Sequence, residues 1–150
     1  MPELIAQTNS EKALAVSSLT ISNHYQEMVQ VANWLTEFGT TYQLSNQVLF
    51  KIDLVLNEAL PNIISYAYLD DKPHQIHLQL QNTENKVWLE IADDGQAFDP
   101  LEKIPKTMIT TLEDASPTGR GILLIKSFTA EQNYQYLNGL NILRVSISKT

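Results

Sequence analysis

Apolar and polar positions along this chain switch between a period of two and a period near four, and the switches mark its elements. From Ala13 to Ser22 the residues alternate, Leu14 with Val16 and then Leu19 with Ile21. That predicts one strand, with a break at Ser17–Ser18 where the alternation changes phase. Tyr25, Met28, Val29, Ala32, Leu35 and Phe38 follow at helical spacing, with Asn23 and Gln26 as a capping box ahead of them and Gly39 as the stop. Ser45 is the expected N-cap of the next and central helix. Around that helix Val48, Ile52, Val55, Leu56, Ala59, Leu60, Ile63, Ile64 and Ala67 share one broad apolar arc. Pro61 within it removes the bond to the carbonyl of Asn57 and should bend the helix, at about 3 kcal/mol if nothing accommodates it.

The second half returns to alternation. Leu69-Asp70-Asp71-Lys72-Pro73 is a turn by composition. Ile76, Leu78 and Leu80, then Val87, Leu89 and Ile91, make a hairpin with one apolar face, ending at Asp93-Asp94-Gly95. Gln96–Thr118 carries three prolines and no strong period, so it predicts a long loop of the kind that serves as a lid or binding loop. Thr118-Gly119-Arg120-Gly121 opens a helix bearing Ile122, Leu123, Leu124, Ile125 and Phe128. Asn133–Leu137 and Leu140–Ser148 flank Asn138-Gly139, a strong two-residue hairpin signal. Strands that bury one face, with helices gathered against it, predict an α+β two-layer sandwich: a mainly antiparallel sheet with helices on one face.

Composition narrows the picture without changing it. The 150 residues suit a single domain, 1–150, and the 43 % apolar content is ordinary for a globular chain. Without cysteine there are no disulfides or thiolate metal sites, which fits a reducing cytosol. A net charge of −7 argues against a nucleic-acid backbone as partner. No secretory leader and no apolar run of membrane-spanning length is present, so a soluble cytoplasmic protein is expected.

Three places carry candidate chemistry. Glu58 and Asn62 lie four apart at the margin of the central helix's apolar arc, so a carboxylate and a carboxamide one turn apart can reach one ligand or one metal together. Asp93, at a strand end before Gly95, can accept a hydrogen bond from an exocyclic amine such as that of adenine, while the glycine lets a flat ring approach the backbone. Gly119, Arg120 and Gly121 open a helix, where exposed N–H groups, the helix dipole and a planar guanidinium all favour an anion. His24, His74 and His77 do not form a metal spacing. His74 and His77 are expected on a strand at the surface or edge, and Trp34 and Trp88 in packing.

Taken in order, E-x-x-x-N on a helix, D-x-G after a hairpin, a lid and G-R-G at a helix start resemble the Bergerat-fold ATPases, the superfamily of gyrase, heat-shock chaperones and histidine kinases. Within it the chain is most similar to the anti-sigma factor serine/threonine kinases. NEALPNIISYAY, DDGQAFDP and PTGRGILLIKSF carry the resemblance, which covers nearly the whole chain. It implies ATP held with Mg²⁺ between the central helix and the lid. Glu58 then matches the general base and Asn62 the magnesium ligand. Asp93 matches the residue reading the adenine amine, Gly95 the glycine beside it, and Gly119, Arg120 and Gly121 the phosphate-binding segment. The family phosphorylates a serine or threonine on an anti-anti-sigma antagonist protein and sequesters a sigma factor, often as a homodimer.

Two positions depart from the family pattern. Ala97 stands where the first glycine box commonly has its second glycine, and Leu123 where the second box has its last. The competing readings are a catalytically weak or inactive module of the same fold that sequesters a sigma factor or other regulator, and a domain whose glycines are purely structural. Retention of both Glu58 and Asn62 favours the kinase over the module. The ordered set of boxes counts against the purely structural domain.

Overall fold

The structure, a computed structural model, describes residues 12–101 and 125–150. Gly119, Arg120, Gly121, Leu123 and the expected lid beyond Leu101 lie outside the described residues. Strands β1 (Ala15–Ser22), β2 (Gln75–Asn82), β3 (Lys86–Asp93), β4 (Glu131–Leu137) and β5 (Leu140–Ser148) form one sheet in the order β1-β2-β3-β5-β4. Every neighbouring pair is antiparallel. Helices α1 (Met28–Thr41), entered through a 3-10 turn at Tyr25–Glu27, and α2 (Asn46–Tyr66) pack on one face. This is the α+β two-layer arrangement the alternation predicts.

Side chains from α2 meet those of the central strands in one core. Ile52, Val55, Leu56 and Leu60 are buried against Ile76, Leu78, Leu80, Leu89, Ile91, Val145 and Ile147. Ser45 caps α2 as expected, its hydroxyl accepting the Val48 N–H at 3.2 Å. The helix continues without interruption through Pro61. Residues 125–128 are helical, and Ile125 joins the same core.

Three local expectations are corrected. β1 has no break at Ser17–Ser18: Ser17, Leu19 and Ile21 face the helices in one unbroken alternation, while Leu14 and Val16 point outward and are exposed. Ser17 is tolerated on the inner face because its hydroxyl accepts the Trp34 Nε1–H at 2.9 Å. Nor does Gly39 stop α1. It lies inside the helix, where a Cβ would sit 2.5 Å from Leu49 Cδ2, so the glycine is where α2 comes close. The stop is Gln43, in the left-handed region at φ 55°, with the Leu44 N–H returning to the Gly39 carbonyl at 2.9 Å. The Asn23–Gln26 box is also absent. Asn23 Oδ1 accepts the His74 N–H, and the Glu27 carboxylate instead accepts the Ser22 hydroxyl at 2.7 Å.

The opposite face of the sheet holds a buried ion pair. Glu90 and Arg144 are cross-strand partners on β3 and β5, 2 % and 3 % exposed, and the guanidinium stands 4.3 Å from the centre of the Trp88 ring. Gln81 Oε1 accepts a further Arg144 N–H at 3.2 Å.

Candidate functional site

The inward row of β3 runs Val87, Leu89, Ile91, Asp93, and that of β5 runs Asn141, Leu143, Val145, Ile147. Each row is apolar except at one end, and the two polar ends are cross-strand partners. Asp93 is 4 % exposed and Asn141 6 %. Beside them, between the last turns of α2 and the Gln96–Pro100 segment, opens a cavity of about 370 Å³. Asn62, Ile63, Tyr66, Asp93, Phe98 and Asn141 are among its lining residues, a mostly apolar wall with a few convergent polar groups.

Asp93 Oδ1 accepts the Gly95 N–H at 2.9 Å and an Asn141 Nδ2–H at 3.0 Å. Its other oxygen, Oδ2, takes no hydrogen bond among the described residues. Burial pushes this carboxyl above its ordinary value, against the pull of the Gly95 and Asn141 bonds, and the neighbouring Asp94 adds to the rise. A desolvated carboxylate with one oxygen uncommitted at a cavity wall is a ready acceptor for an amine.

Packing against α2 gives Gly95 a reason of its own to be glycine. A Cβ there would lie 2.6 Å from both the carbonyl oxygen and the Cβ of Ala67, at the end of α2. The absent side chain lets the turn seat on the helix terminus, where Gln96 N–H donates to the Ala67 carbonyl at 2.9 Å and Gln96 Nε2 to that of Tyr66 at 3.1 Å. Beyond it, Phe98 N–H donates to Asn141 Oδ1 at 3.0 Å, and Leu101 N–H to Asp99 Oδ1 at 2.7 Å.

The structure thus brings Asn62 and Asp93 to one cavity, with Gly95 buried just behind. Glu58 is half-buried one turn before Asn62 and is not part of the cavity lining. His74 stands before β2 rather than on it. Its Nε2 meets Asp70 Oδ1 at 2.7 Å and its Nδ1 meets Asp94 Oδ1 at 3.0 Å, while its ring stacks on Tyr68 at 4.1 Å. Asn141 and Tyr134, which join Asp93 in this cluster, lie outside the three candidate motifs. The available signal was a lone amide opening an otherwise apolar alternating strand.

The described residues contain no group of three or more His, Cys, Asp or Glu side chains able to hold a metal. A magnesium ion that travels with phosphates keeps most of its shell as water and phosphate oxygens, and the Asn62 carboxamide at the cavity wall is an oxygen donor of the kind such a hard cation accepts. For a purine, the uncommitted Asp93 oxygen in an apolar cavity is a fitting partner.

The family description "Histidine kinase-like ATPase domain" matches residues 21–147. The chain belongs to that family. The five-stranded antiparallel sheet with helices on one face is the architecture of this ATPase domain, and the cavity lies wholly within the matched span. The chain is 35 % identical to the serine/threonine-protein kinase BtrW of Bordetella bronchiseptica, over 75 % of its own length and 80 % of BtrW. It is 23 % identical to the anti-sigma F factor of Oceanobacillus iheyensis over 79 % of its length and 78 % of that protein. To the serine-protein kinase RsbW of Bacillus subtilis it is 25 % identical over 61 % of its length and 59 % of RsbW. Among solved structures, one of the RsbU and RsbW domains of a Mycobacterium tuberculosis protein superposes with a TM-score of 0.60 at 13 % identity. It covers 89 % of this ATPase domain, which spans 33 % of that longer chain, and it supports the fold. No described helix is long and apolar enough to cross a membrane.

Proposed function

We propose that this chain is an ATP-dependent serine/threonine protein kinase of the anti-sigma type, acting in the cytoplasm on an anti-anti-sigma antagonist protein and sequestering a sigma factor. The observation that carries the reading is the buried Asp93 with one uncommitted oxygen in the cavity wall, in a chain 35 % identical to a serine/threonine-protein kinase. Asp93 accepts the adenine amine, and Gly95 keeps the turn close enough to α2 for that carboxylate to face the cavity. Asn62 supplies the protein's oxygen to Mg²⁺, which when bound neutralises phosphate charge. Gly119, Arg120 and Gly121, outside the described residues, are assigned to the phosphates by the family resemblance alone.

Glu58, one helical turn from Asn62, takes the proton of the antagonist's hydroxyl as its oxygen bonds to the γ-phosphorus and the bond to ADP breaks. A serine hydroxyl is a poor nucleophile until a base accepts that proton. One observation favours a second reading, a binding module without phosphotransfer: Glu58 does not line the cavity. Single-turnover phosphotransfer decides between them. Glu58→Gln should lower transfer by a factor on the order of 10²–10⁴ while ATP binding changes little. Asn62→Ala should weaken the Mg²⁺–nucleotide complex itself. Transfer at the wild-type rate by Glu58→Gln would remove Glu58 as the base. No transfer by wild type to any cognate antagonist would favour the module.

A further inference from the structure

We propose that Asn141, held by the hydroxyl of Tyr134, is a positioning residue that locks the Asp93 carboxylate and the Gly95–Phe98 turn into one rigid base-reading unit. The role rests on the nucleotide-binding reading above and extends it to the second hairpin, β4–β5.

The argument is one of hydrogen-bond capacity. A carboxamide has two N–H donors and one oxygen with two lone pairs. Asn141 Nδ2 faces three oxygens: Asp93 Oδ1 at 3.0 Å, the Gln96 carbonyl at 2.9 Å and the Gly95 carbonyl at 3.3 Å. Its Oδ1 accepts from Phe98 N–H at 3.0 Å and from the Tyr134 hydroxyl. These partners set the orientation of the amide, because a flipped side chain would turn its oxygen toward three acceptors. They also exhaust it. With both hydrogens and both lone pairs engaged, Asn141 has nothing left to offer a ligand and acts only through Asp93 and the turn.

Two consequences follow for the base site. Because Asn141 and Gly95 occupy Oδ1, the Asp93 carboxylate cannot rotate without breaking two bonds, and Oδ2 alone is presented to the cavity. Because Phe98 N–H is tied to Asn141, and lies 3.2 Å from the Tyr134 hydroxyl as well, the segment around Ala97 is fixed by side chains of the second hairpin. That is the position where the family pattern commonly has a glycine. Tyr134 is the outer member of the set. It reaches from the edge strand β4 diagonally across to Asn141, two residues before its own cross-strand partner Leu143, and lines the cavity itself.

The test uses two variants of the full chain. Tyr134→Phe removes one hydroxyl from a partly exposed ring, so folding is retained. Asn141→Asp keeps the shape but turns a carboxylate oxygen toward Asp93 Oδ1 and two carbonyls. Without nucleotide, amide hydrogen exchange at Phe98 should quicken several-fold in Tyr134→Phe, while exchange within β2 and β3 stays at wild-type rates. By calorimetry, ATP affinity should fall by a factor of about 2–10 in Tyr134→Phe, the range for one lost hydrogen bond, and by more in Asn141→Asp. The preference for ATP over GTP should shrink in both, which a purely structural role would not produce. Equal ATP affinity and equal base preference in all three proteins would overturn the positioning role alone. A wild type that binds no adenine nucleotide would overturn the nucleotide-binding reading and this role with it.

Discussion

Replacing Asp93 by asparagine separates the acceptor from the scaffold it belongs to. In the wild type Oδ1 serves the protein, taking bonds from Gly95 N–H and Asn141 Nδ2. An asparagine with its oxygen in the Oδ1 position keeps both bonds and places its NH₂ where Oδ2 was. The adenine amine then meets a donor instead of a charged acceptor. A hydrogen bond to a charged group is worth about 1.5–3 kcal/mol, and each 1.4 kcal/mol is tenfold. ATP affinity should therefore fall by a factor of roughly 10–150. GTP, which presents a carbonyl oxygen at the equivalent ring position, should lose far less or gain. Stability should not suffer. Burial raises the Asp93 carboxyl, so the folded protein holds its proton more tightly than the unfolded chain, and ionisation costs stability as pH rises from about 3.9 through the folded value. Asparagine removes that cost, and the melting temperature at pH 7 should hold or rise. Titration calorimetry with ATP and GTP, beside a thermal melt, gives all three quantities. Unchanged ATP affinity in a folded variant, or an equal loss for both nucleotides, would refute the assignment of Asp93 to the base.

Further outcomes follow from other contacts. Gly95→Ala puts a Cβ 2.6 Å from the Ala67 carbonyl oxygen, which is itself bonded to Gln96 N–H. Overpacking of that kind costs about 1–3 kcal/mol, and thermal unfolding should show the loss; an unchanged melt would mean the turn can lift off α2. Arg144→Met strands the buried Glu90, whose carboxyl burial already pushes upward, and should cost about 3–5 kcal/mol in denaturant unfolding, with less than 1 kcal/mol contradicting the pairing. In a proton NMR titration His74 should titrate above 6.5, raised by its hydrogen bond to Asp70 and by Asp94, and His77 below it through burial. The stabilisation from protonated His74 is then present below pH 6.5 and lost as pH rises through its folded pKa; Asp70→Asn should lower that pKa, and an unmoved value would dismiss the contact.

Period and turn chemistry made much of the fold legible in the sequence. The apolar arc from Val48 to Ala67 and the Ser45 cap specify α2, because both signals act within a few residues. Asn138 and Gly139 adopt φ of 53° and 79°, the left-handed pair that a tight hairpin needs and that these residue types accept. The ordered boxes pointed to the ATPase family, since the residue types at Glu58, Asn62, Asp93 and Gly95 remain visible whatever surrounds them. What the tertiary structure decided depends on partners far along the chain. Leu14 and Val16 are apolar yet face outward, so alternation alone suggests a break in β1, and only pairing with β2 assigns the inner row. Gly39 looks like a helix stop, but the space it leaves is filled by Leu49, and Gly95 likewise lets its turn close on Ala67, a contact no local pattern announces. Asn141 lies 48 residues from Asp93 and becomes its partner only through the register of β5 on β3. A short-range pattern reports which face a residue prefers; which polar group it will meet there is set by strand order and register, and those arise only when the whole sheet assembles.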